Sequence, residues 1–533
     1  MILCTKYNDQ IIKTTADNDV FEENYDVIVA GLGTAGSIAA ICAVEYGLSV
    51  LALEAGEMMG GTATAGCVLG YYCGNSGGRY EDVDEIINRT DKDLFCTVNH
   101  IFTDHIHPWH KALVLESEAI KAGVDIRYQA WTFGVYMEGN RVVGLKWKDE
   151  KGIHNTKAKY VIDCTGDAAI CAIAGCETAY GREFDGKTQP FSLCTLLVKG
   201  GNLNSYYVDN GYIDPCNAEN FTWEILNTYT QKMFLRDNFR DGHYYPVIAP
   251  LAGIREGRRI IGEENVTLKD FAEGKLTEEP LFYAYSHIDT HGIEHAFESK
   301  LYVEWCIVAR LKMLVFAVPI PKGALIPKGY KGILAAGRCI GVDHDISSCV
   351  RMKRDMQKCG EAASAVAYLS LLYNVDAVDV NYNDLAELLK KSKCLDENNN
   401  RMAFRIGETS DGKKFDIPVK WLTDKNEIKK QLESIMPGIG IWSAKRLGNA
   451  ITGDLRSWYD HGGEQLKKYS AVTLGLMGDN YGLEKLREMA GKCLNIKENM
   501  SMDDIFDGLG AVYLLGELCD NDCVPLLEKS VSR

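Results

Sequence analysis

The stretch that decides the fold is Tyr25-Asp-Val-Ile-Val-Ala-Gly-Leu-Gly-Thr-Ala-Gly36, near the start of the chain. Its apolar run, Val27 to Ala30, leads directly into three glycines spaced G-x-G-x-x-G. Residues Ser37 to Tyr46 are rich in Ala and Ile and predict a helix, and a second apolar run, Leu48 to Leu53, follows it. The order strand, glycine turn, helix, strand predicts a βαβ unit that binds the phosphates of a dinucleotide.

Each position in this turn has a mechanical role. Gly31 allows the tight turn, Gly33 lets a pyrophosphate approach the backbone, and Gly36 lets helix and strand pack closely. The helix N-terminus then offers N–H groups and the positive end of its dipole to the phosphates. Glu54, at the tip of the second strand, is placed to accept hydrogen bonds from ribose hydroxyls, and its charge repels a 2′-phosphate. The pattern therefore disfavours NADP.

A second glycine-rich loop, Ala55 to Gly66, favours FAD over NAD. A plain NAD dehydrogenase does not need such a loop, whereas the flavin half of a longer dinucleotide must be carried past the second strand. Three later segments agree. Val124 to Val135 and Arg141 to Leu145 form a β-rich piece broken by Glu138-Gly139-Asn140. Tyr160 to Asp167 is a strand that ends in Thr-Gly-Asp, and Gly332 to Arg338 contains another apolar strand that ends in glycine.

With these motifs in order, the chain resembles the FAD-dependent oxidoreductases of the two-dinucleotide-binding-domain type, which are related to the flavoproteins of fumarate reductase and succinate dehydrogenase. More narrowly, it is similar to the bacterial FAD-dependent oxidoreductase family, whose members carry loops like G-R-C-I-x-x-x-H and a C-terminal G-x-A-A helix. The resemblance spans Tyr25 to Leu371.

The resemblance implies non-covalent FAD, with the pyrophosphate on the first glycine turn, the AMP ribose on Glu54 and adenine beside the backbone near Thr132. It also implies that Gly360 opens the helix whose N-terminus faces the flavin pyrimidine. The full set of cofactor-binding residues that it implies is Gly31, Gly33, Thr34, Ala35, Gly36, Glu54, Ala55, Gly60, Gly61, Thr62, Thr132, Thr165, Gly166, Asp167, Gly337, Arg338 and Gly360.

The candidates for substrate chemistry are histidines and arginines near these motifs. His344 lies seven residues after the strand end at Gly337, and Arg351 comes just before the predicted flavin-facing helix. His291 lies in Ser286-His-Ile-Asp-Thr-His, which resembles a D-x-H segment of the family. Histidine can carry a proton near neutral pH, and arginine can orient a carboxylate or polarise a carbonyl. A purely structural role for each remains open.

Arg255, with Arg258 and Arg259, matches a family pattern between substrate domain and cofactor, so one of the three is a substrate candidate. Nearby glutamates also fit simple ion pairing. We expect no metal, because Gly292 argues against a helix that would align His287, His291 and His295.

Composition narrows the function further. The 58 Lys+Arg and 74 Asp+Glu give a net charge of −16, and no dense basic cluster is present, which disfavours nucleic acid. No apolar stretch reaches the ~20 residues of a membrane span, and no secretory signal begins the chain. A dithiol reductase is disfavoured because Ala63 stands where its first cysteine would be. We therefore expect a cytoplasmic enzyme, without nucleic-acid or membrane partners, that acts on a small molecule; its electron partner and homo-oligomerisation stay open.

The predicted fold class is α/β: a Rossmann-type FAD-binding domain with an inserted α+β substrate domain and a C-terminal α-helical, HEAT-like region. Leu474-Gly-Leu-Met-Gly-Asp-Asn recurs as Leu515-Gly-Glu-Leu-Cys-Asp-Asn, which indicates a helical repeat. The predicted divisions are an N-terminal extension 1–24, FAD-binding segments 25–195 and 321–385, a substrate domain 196–320 and a helical region 386–533.

The function predicted is hydride transfer between flavin N5 and a carbon of a small polar substrate: a sugar-like compound, a hydroxy acid or an enoate. Two alternatives remain. One is a flavin-dependent monooxygenase or tRNA-modifying enzyme, and the other is a flavoprotein subunit whose helical tail recruits a partner.

Overall fold

In the computed structural model, the parallel strands predicted around the glycine motifs lie side by side in one sheet. The structure describes residues 1–7, 10–94, 107–199, 202–212, 214, 217–227, 243–292, 294–408, 414–494, 501–525 and 528. The chain divides into two units: unit 1 is Met1–Ile293 with Ala317–Asn400, and unit 2 is Glu294–Phe316 with Arg401–Arg533.

The strands within the described residues are, in chain order, β1 Ile2–Tyr7, β2 Gln10–Thr15, β3 Glu23–Ala30, β4 Val50–Leu53, β5 Asp125–Arg127, β6 Trp131–Glu138, β7 Arg141–Asp149, β8 Gly152–Asp163, β9 Thr178–Ala179, β10 Phe191–Lys199, β11 Asn202–Gly211, β12 His243–Ile248, β13 Arg259–Ile260, β14 Pro280–Ser286, β15 Leu314–Pro321, β16 Ile333–Ala335, β17 Met402–Glu408 and β18 Lys414–Val419.

The α-helices within the same residues are α1 Thr34–Glu45, α2 Tyr80–Leu94, α3 Pro108–Ala122, α4 Ala169–Ala174, α5 Ala218–Asn227, α6 Leu268–Glu273, α7 Lys300–Val303, α8 His344–Val350, α9 Lys353–Tyr373, α10 Tyr382–Lys391, α11 Lys425–Leu432, α12 Gly438–Leu447, α13 Asn449–His461, α14 Glu464–Leu476, α15 Leu483–Leu494 and α16 Met502–Glu517. None of the helices that the structure describes combines the length and the apolar character that crossing a membrane requires.

The main sheet of unit 1 has the order β2-β1-β6-β7-β8-β3-β4-β5, and β16 pairs with β8. Strands β16, β8, β3, β4 and β5 are parallel neighbours, whereas β6, β7 and β8 form an antiparallel meander. Strands β4 and β16 and the last four residues of β3 and of β8 are buried, whereas the short edge strand β5 is half-buried. Buried parallel strands of this kind are covered on both faces. This is the Rossmann-type α/β arrangement that the sequence predicts.

The N-terminal extension joins this sheet. Strand β1 pairs antiparallel with β6, with Cys4 opposite Val135, and β2 continues the edge. The segment predicted as a separate extension therefore adds two strands to the cofactor-binding sheet.

Helices α1 and α9 cover one face of the sheet and touch each other closely. Residues Ala35 to Ala43 of α1 are buried, as its Ala-rich sequence predicts. A Cβ on Gly360 of α9 would lie 2.1 Å from the carbonyl oxygen of Ala35, and the Ser364 hydroxyl donates to the Ala39 carbonyl at 2.7 Å. Gly360 is thus the contact point between the two helices.

A second sheet of unit 1 has the order β11-β10-β12, and its central strand is buried on both faces. Phe191 and Leu193 pack on one side with Phe221 and Ile225 of α5. On the other side, Cys194 and Leu196 pack with Cys67 and Leu69, which follow the second glycine-rich loop. Strand β10 therefore packs this second sheet against the segment that follows the loop predicted to carry the flavin half.

Unit 2 is mostly helical from α11 onward, and it also contains β17 and β18. The repeated motif has the same conformation in both copies: α14 and α16 each end within it, and a short 3₁₀ turn begins at the Asn. In each copy an arginine from the preceding helix pairs with the motif's aspartate, Arg456 with Asp479 and Arg487 with Asp520. The predicted repeat is therefore structural; its assignment to the HEAT type stays a prediction.

Candidate active site

The sheet brings the four predicted cofactor motifs to one edge. Ala30 lies opposite Leu53 in the register of β3 and β4, and opposite Asp163 in the register of β3 and β8. Ala335 lies opposite Asp163 in turn. Because these strands are parallel, their carboxyl ends meet at the same edge, which is where α/β proteins bind ligands.

The first glycine turn is a tight backbone junction. Gly31 has φ +91°, and a Cβ there would lie 2.7 Å from the Cys164 carbonyl oxygen at the end of β8. A Cβ on Gly36 would lie 1.8 Å from the carbonyl oxygen of Gly31. Both positions therefore require glycine for packing alone, as the sequence predicts.

Gly33 is different, because no atom lies within 4 Å of where its Cβ would be. It is the N-cap of α1 and provides no side chain to the first N–H groups of that helix. The second glycine loop adjoins it, since a Cβ on Gly61 would lie 2.8 Å from the Gly33 Cα atom. Open space over a helix N-terminus, bounded by two glycine turns, fits the pyrophosphate of a dinucleotide.

Glu54 is fixed at this edge by backbone donors. Its carboxylate accepts from Leu32 N at 2.6 Å and from Gly56 N at 2.7 Å. Ala130 N donates to the Glu54 carbonyl at 2.9 Å. Thr132, in β6, is two residues further along the chain from this contact. The ribose role of Glu54 and the adenine role of Thr132 stay predictions.

The Thr165-Gly166-Asp167 turn is held by two arginines. Arg338 Nε donates to the Gly166 carbonyl at 2.6 Å, and its Nη1 donates to the Ile254 carbonyl. Burial lowers the pKa of Arg338. Arg258 pairs with the Asp167 carboxylate, so the segment before β13 lies directly beside the cofactor edge. Gly337, which follows β16, also has a left-handed backbone, with φ +96°.

Beyond Ile254, charged side chains from separated segments and one amide, Gln189, form a group that is here called the charged cluster. Its members are Gln189, Asp209, Arg255, Glu256, Asp289, His291, His344 and Arg351. All four substrate candidates predicted from the sequence, Arg255, His291, His344 and Arg351, belong to it. The structure therefore brings together candidates that are up to 96 positions apart in the chain, Arg255 and Arg351.

His291 lies at the centre of one half of the cluster. Its Nδ1 is 3.0 Å from Asp209 Oδ2, and its Nε2 is 3.0 Å from Asp289 Oδ1. Burial alone would lower its pKa, but the hydrogen bonds to Asp209 and Asp289 raise that pKa above the usual value. For the carboxyl groups of Asp209 and Asp289, burial acts in the opposite direction and would raise the pKa. Hydrogen bonds from His291 nevertheless hold both pKa values well below the usual range.

The two arginines flank this half. Arg255 donates to Asp209 Oδ1 at 3.1 Å and to the Pro190 carbonyl at 2.7 Å. Burial, together with the charge of Arg351, lowers the pKa of Arg255 to about 10. Arg351 donates to Asp289 Oδ2 at 3.3 Å and to Gln189 Oε1 at 3.1 Å.

The other half centres on Glu256, whose side chain is almost fully buried. Its carboxylate accepts from His344 Nδ1 at 2.9 Å, from Gln189 N at 2.9 Å, and from Arg259. Gln189 joins the halves, because its Nε2 donates to Ser347 of α8 at 2.7 Å while its Oε1 accepts from Arg351. His344 begins α8, and Asp343 caps that helix through Ile346 N.

One prediction at the cofactor edge is wrong. Gly360 does not begin the helix predicted to face the flavin, because that helix, α9, begins at Lys353 and its N-cap is Met352. Gly360 lies inside α9, where it faces Ala35. The small residues around position 360 reflect close packing of α9 on α1, and the signal for the true start is Arg351-Met352, where α8 ends and the chain turns.

Gln189, Asp209, Glu256 and Asp289 were not among the predicted site residues. Asp289 lies inside the segment quoted for His291, and Glu256 was considered only as an ion-pair partner of the arginines. Asp209 and Gln189 carry no local motif, so only the fold brings them to the site.

The comparisons with known proteins agree with this edge. The profile of the family described as FAD dependent oxidoreductase matches residues 26–236 and 220–389, which is more than half of the chain. Over 185 residues the chain is 29% identical to a digeranylgeranylglycerophospholipid reductase of Haloferax volcanii, a match covering 31% of this chain and 42% of that protein. Over 215 residues it is 25% identical to a protein of the same name from Methanocella arvoryzae, covering 36% and 53%.

The chain thus spans about half or less of the length of these relatives. A solved structure of a geranylgeranyl bacteriochlorophyll reductase-like protein from Thermoplasma acidophilum is 15% identical, with a TM-score of 0.37, and the match covers 93% of this chain and 99% of that one. At this identity and score the likeness does not bear on activity. The family match and the glycine edge agree on the cofactor, FAD, and the chain belongs to the family of FAD dependent oxidoreductases.

Proposed function

We propose that the protein transfers a hydride between FAD and a carbon atom of a small polar substrate that binds at the charged cluster. The observation that carries this is the connection at Arg338, which contacts both the Gly166 turn and the Ile254 carbonyl next to Arg255. Arg255 of the charged cluster therefore directly follows a residue, Ile254, that is tied through Arg338 to the cofactor edge. Bound FAD supplies the redox chemistry by accepting or giving up a hydride at N5.

His344 is the group proposed to hold and move the proton that accompanies this transfer. Its Nδ1 faces the buried Glu256 carboxylate, which fixes the orientation of the ring and stabilises its protonated form. Arg259 also pairs with the Glu256 carboxylate, which further fixes its position. Arg255 and Arg351 are proposed to orient a carboxylate or carbonyl of the substrate.

Sugar-like compounds, hydroxy acids and enoates all suit such a site. The curated relatives are reductases by name, which supports testing reduction of an activated double bond as well as oxidation of a hydroxyl-bearing carbon.

The test is anaerobic flavin spectroscopy of the full-length, FAD-loaded protein. Oxidised protein is mixed with hydroxy acids and sugars, and photoreduced protein is mixed with enoates. We expect one class to bleach or restore the flavin absorbance. His344→Ala should retain FAD but slow that step by about 10²–10⁴-fold, the usual contribution of a positioned acid or base.

His461→Ala is the matched control, because His461 is an exposed histidine at the end of α13 in unit 2. It should react like the wild type. A His344→Ala protein with full FAD content and an unchanged rate would remove His344 from the mechanism. Flavin that responds to no carbon substrate but drives rapid oxygen consumption with NADH or NADPH would replace the proposal with a monooxygenase.

A further inference from the structure

His291 has a carboxylate at each ring nitrogen, with Asp209 and Asp289 both 3.0 Å away. A neutral imidazole carries a single N–H, so it can donate to only one of two acceptors. The other ring nitrogen would then present a lone pair to a carboxylate oxygen. Satisfying both contacts requires both nitrogens to be protonated, and the geometry is therefore that of an imidazolium.

The same contacts order the neighbouring charges. Arg255, Asp209, His291, Asp289 and Arg351 form a chain in which positive and negative groups alternate. With His291 protonated, three positive charges face two negative ones, so the chain has one positive charge in excess. About 43% of the Asp209 side chain and 30% of the His291 side chain are exposed, so this end of the cluster is open to solvent.

We propose that His291 is a positioning residue rather than a proton carrier: as an imidazolium it holds the two aspartates, keeps Arg255 and Arg351 apart, and leaves a site for one anionic group of the substrate. This rests on the proposed function only in assigning the anion to the substrate. Proton transfer, which the sequence favoured for His291 as well, is left to His344.

Deprotonation would disable the site. A neutral His291 can hold only one aspartate, and the released carboxylate would then be neutralised by its own arginine. The chain would lose its excess positive charge together with its geometry. Affinity for an anion is therefore expected to be high below the raised pKa of His291 and to fall as the pH rises through that value.

The charged and titratable groups described around His291 come from several elements, and each enters this balance. Asp209 comes from β11, Asp289 and His287 from the segment after β14, Arg255 from the segment after β12, and Arg351 from the end of α8. Tyr212 adjoins the following glycine. Arg255 opposes protonation of His291, and the two carboxylates favour it.

The experiment titrates sodium acetate into the FAD-loaded full-length protein by calorimetry at constant ionic strength, between pH 6 and 9. Wild-type protein should bind acetate more weakly as the pH rises. His291→Asn should bind it about 10-fold more weakly near pH 6, where the wild type is protonated. Asn tolerates the left-handed backbone that residue 291 adopts, with φ +56°.

His291→Lys keeps a cation between the aspartates, and its ordinary pKa lies near 10.4, so it should retain binding through pH 9. His154→Asn is the matched control. His154 also has carboxylates at both nitrogens, Glu22 at 3.2 Å and Asp149 at 2.8 Å, but none of its partners belongs to the charged cluster. This variant should bind acetate as the wild type does.

A second measurement does not depend on ligand. In protein labelled with ¹⁵N-histidine, the signals lost in His291→Asn should show two protonated ring nitrogens at pH 6. A single protonated nitrogen there, or acetate binding that is unchanged in His291→Asn or independent of pH, would overturn the proposal. If instead acetate behaves as expected and no carbon substrate changes the flavin spectrum, the proposed function fails and the anion site stands.

Discussion

The glycine edge and the charged cluster are held together in opposite ways. At the glycine edge the decisive contacts are between backbone atoms, as with Gly36 against Gly31. In the charged cluster they are between side chains from distant segments, as with His291 between Asp209 and Asp289. The first arrangement requires glycines, because a Cβ atom would not fit, and the second requires balanced charges. Added methyl groups should therefore disturb the glycine edge, whereas a change of pH should disturb the charged cluster.

The largest expected effect is on folding at the glycine edge. Gly36→Ala would place a Cβ 1.8 Å from a backbone carbonyl oxygen, which the turn can relieve only by moving. We expect a loss of about 3 kcal/mol in the free energy of unfolding, measured by urea denaturation followed by circular dichroism.

Gly453→Ala provides its control. Gly453 is an exposed residue within α13, and no atom lies within 4 Å of its Cβ position. That variant should gain about 0.5–1 kcal/mol. Equal stability of the two variants would mean that the first turn is not the tight junction described.

The next effect separates cofactor binding from folding. Gly33→Ala adds a methyl group where no protein atom lies nearby, so the unfolding transition should stay within about 0.5 kcal/mol of the wild type. The methyl group would occupy the space that fits the pyrophosphate. FAD should therefore bind at least about 10-fold more weakly in fluorescence titration, and undiminished affinity would place the cofactor elsewhere.

The smallest expected effect is on how the free energy of unfolding depends on pH, and it concerns the charged cluster alone. The pKa of His291 is raised in the folded protein, so its contribution to stability is complete below about pH 6.5, the ordinary histidine value, and is lost as the pH rises through the raised pKa. The free energy of unfolding should decline over this range in the wild type and decline less in His291→Asn. Gly33→Ala should keep the wild-type slope; a slope unaltered by His291→Asn would contradict the coupling of His291 to its aspartates.

The same contrast explains what the sequence could predict. The βαβ unit and the strands that end at Ala30, Leu53, Asp163 and Ala335 all follow from local apolar runs and turn residues. These patterns are contiguous, and parallel strands must align their carboxyl ends. The cofactor edge was therefore predictable before any coordinates.

The charged cluster was only half predictable. His344, Arg351, His291 and Arg255 attract attention by residue type, but Gln189 and Asp209 join them through the pairing of β10 with β11 and the turn before β10. No local pattern encodes such a meeting. The prediction for Gly360 was wrong for another reason. A run of small residues fits a helix start near a ligand and a helix–helix contact equally well. Only the structure, in which Met352 is the N-cap of α9, decides between them.

Strand β10 has a consequence for how this chain can vary. Its odd-numbered positions, Phe191 and Leu193, serve α5, and its even-numbered positions, Cys194 and Leu196, serve the segment at Cys67. Inserting or deleting one residue within the strand would exchange the two sets, because side chains alternate along it. Length changes in the sheet β11-β10-β12 are thus expected only in the connections between its strands.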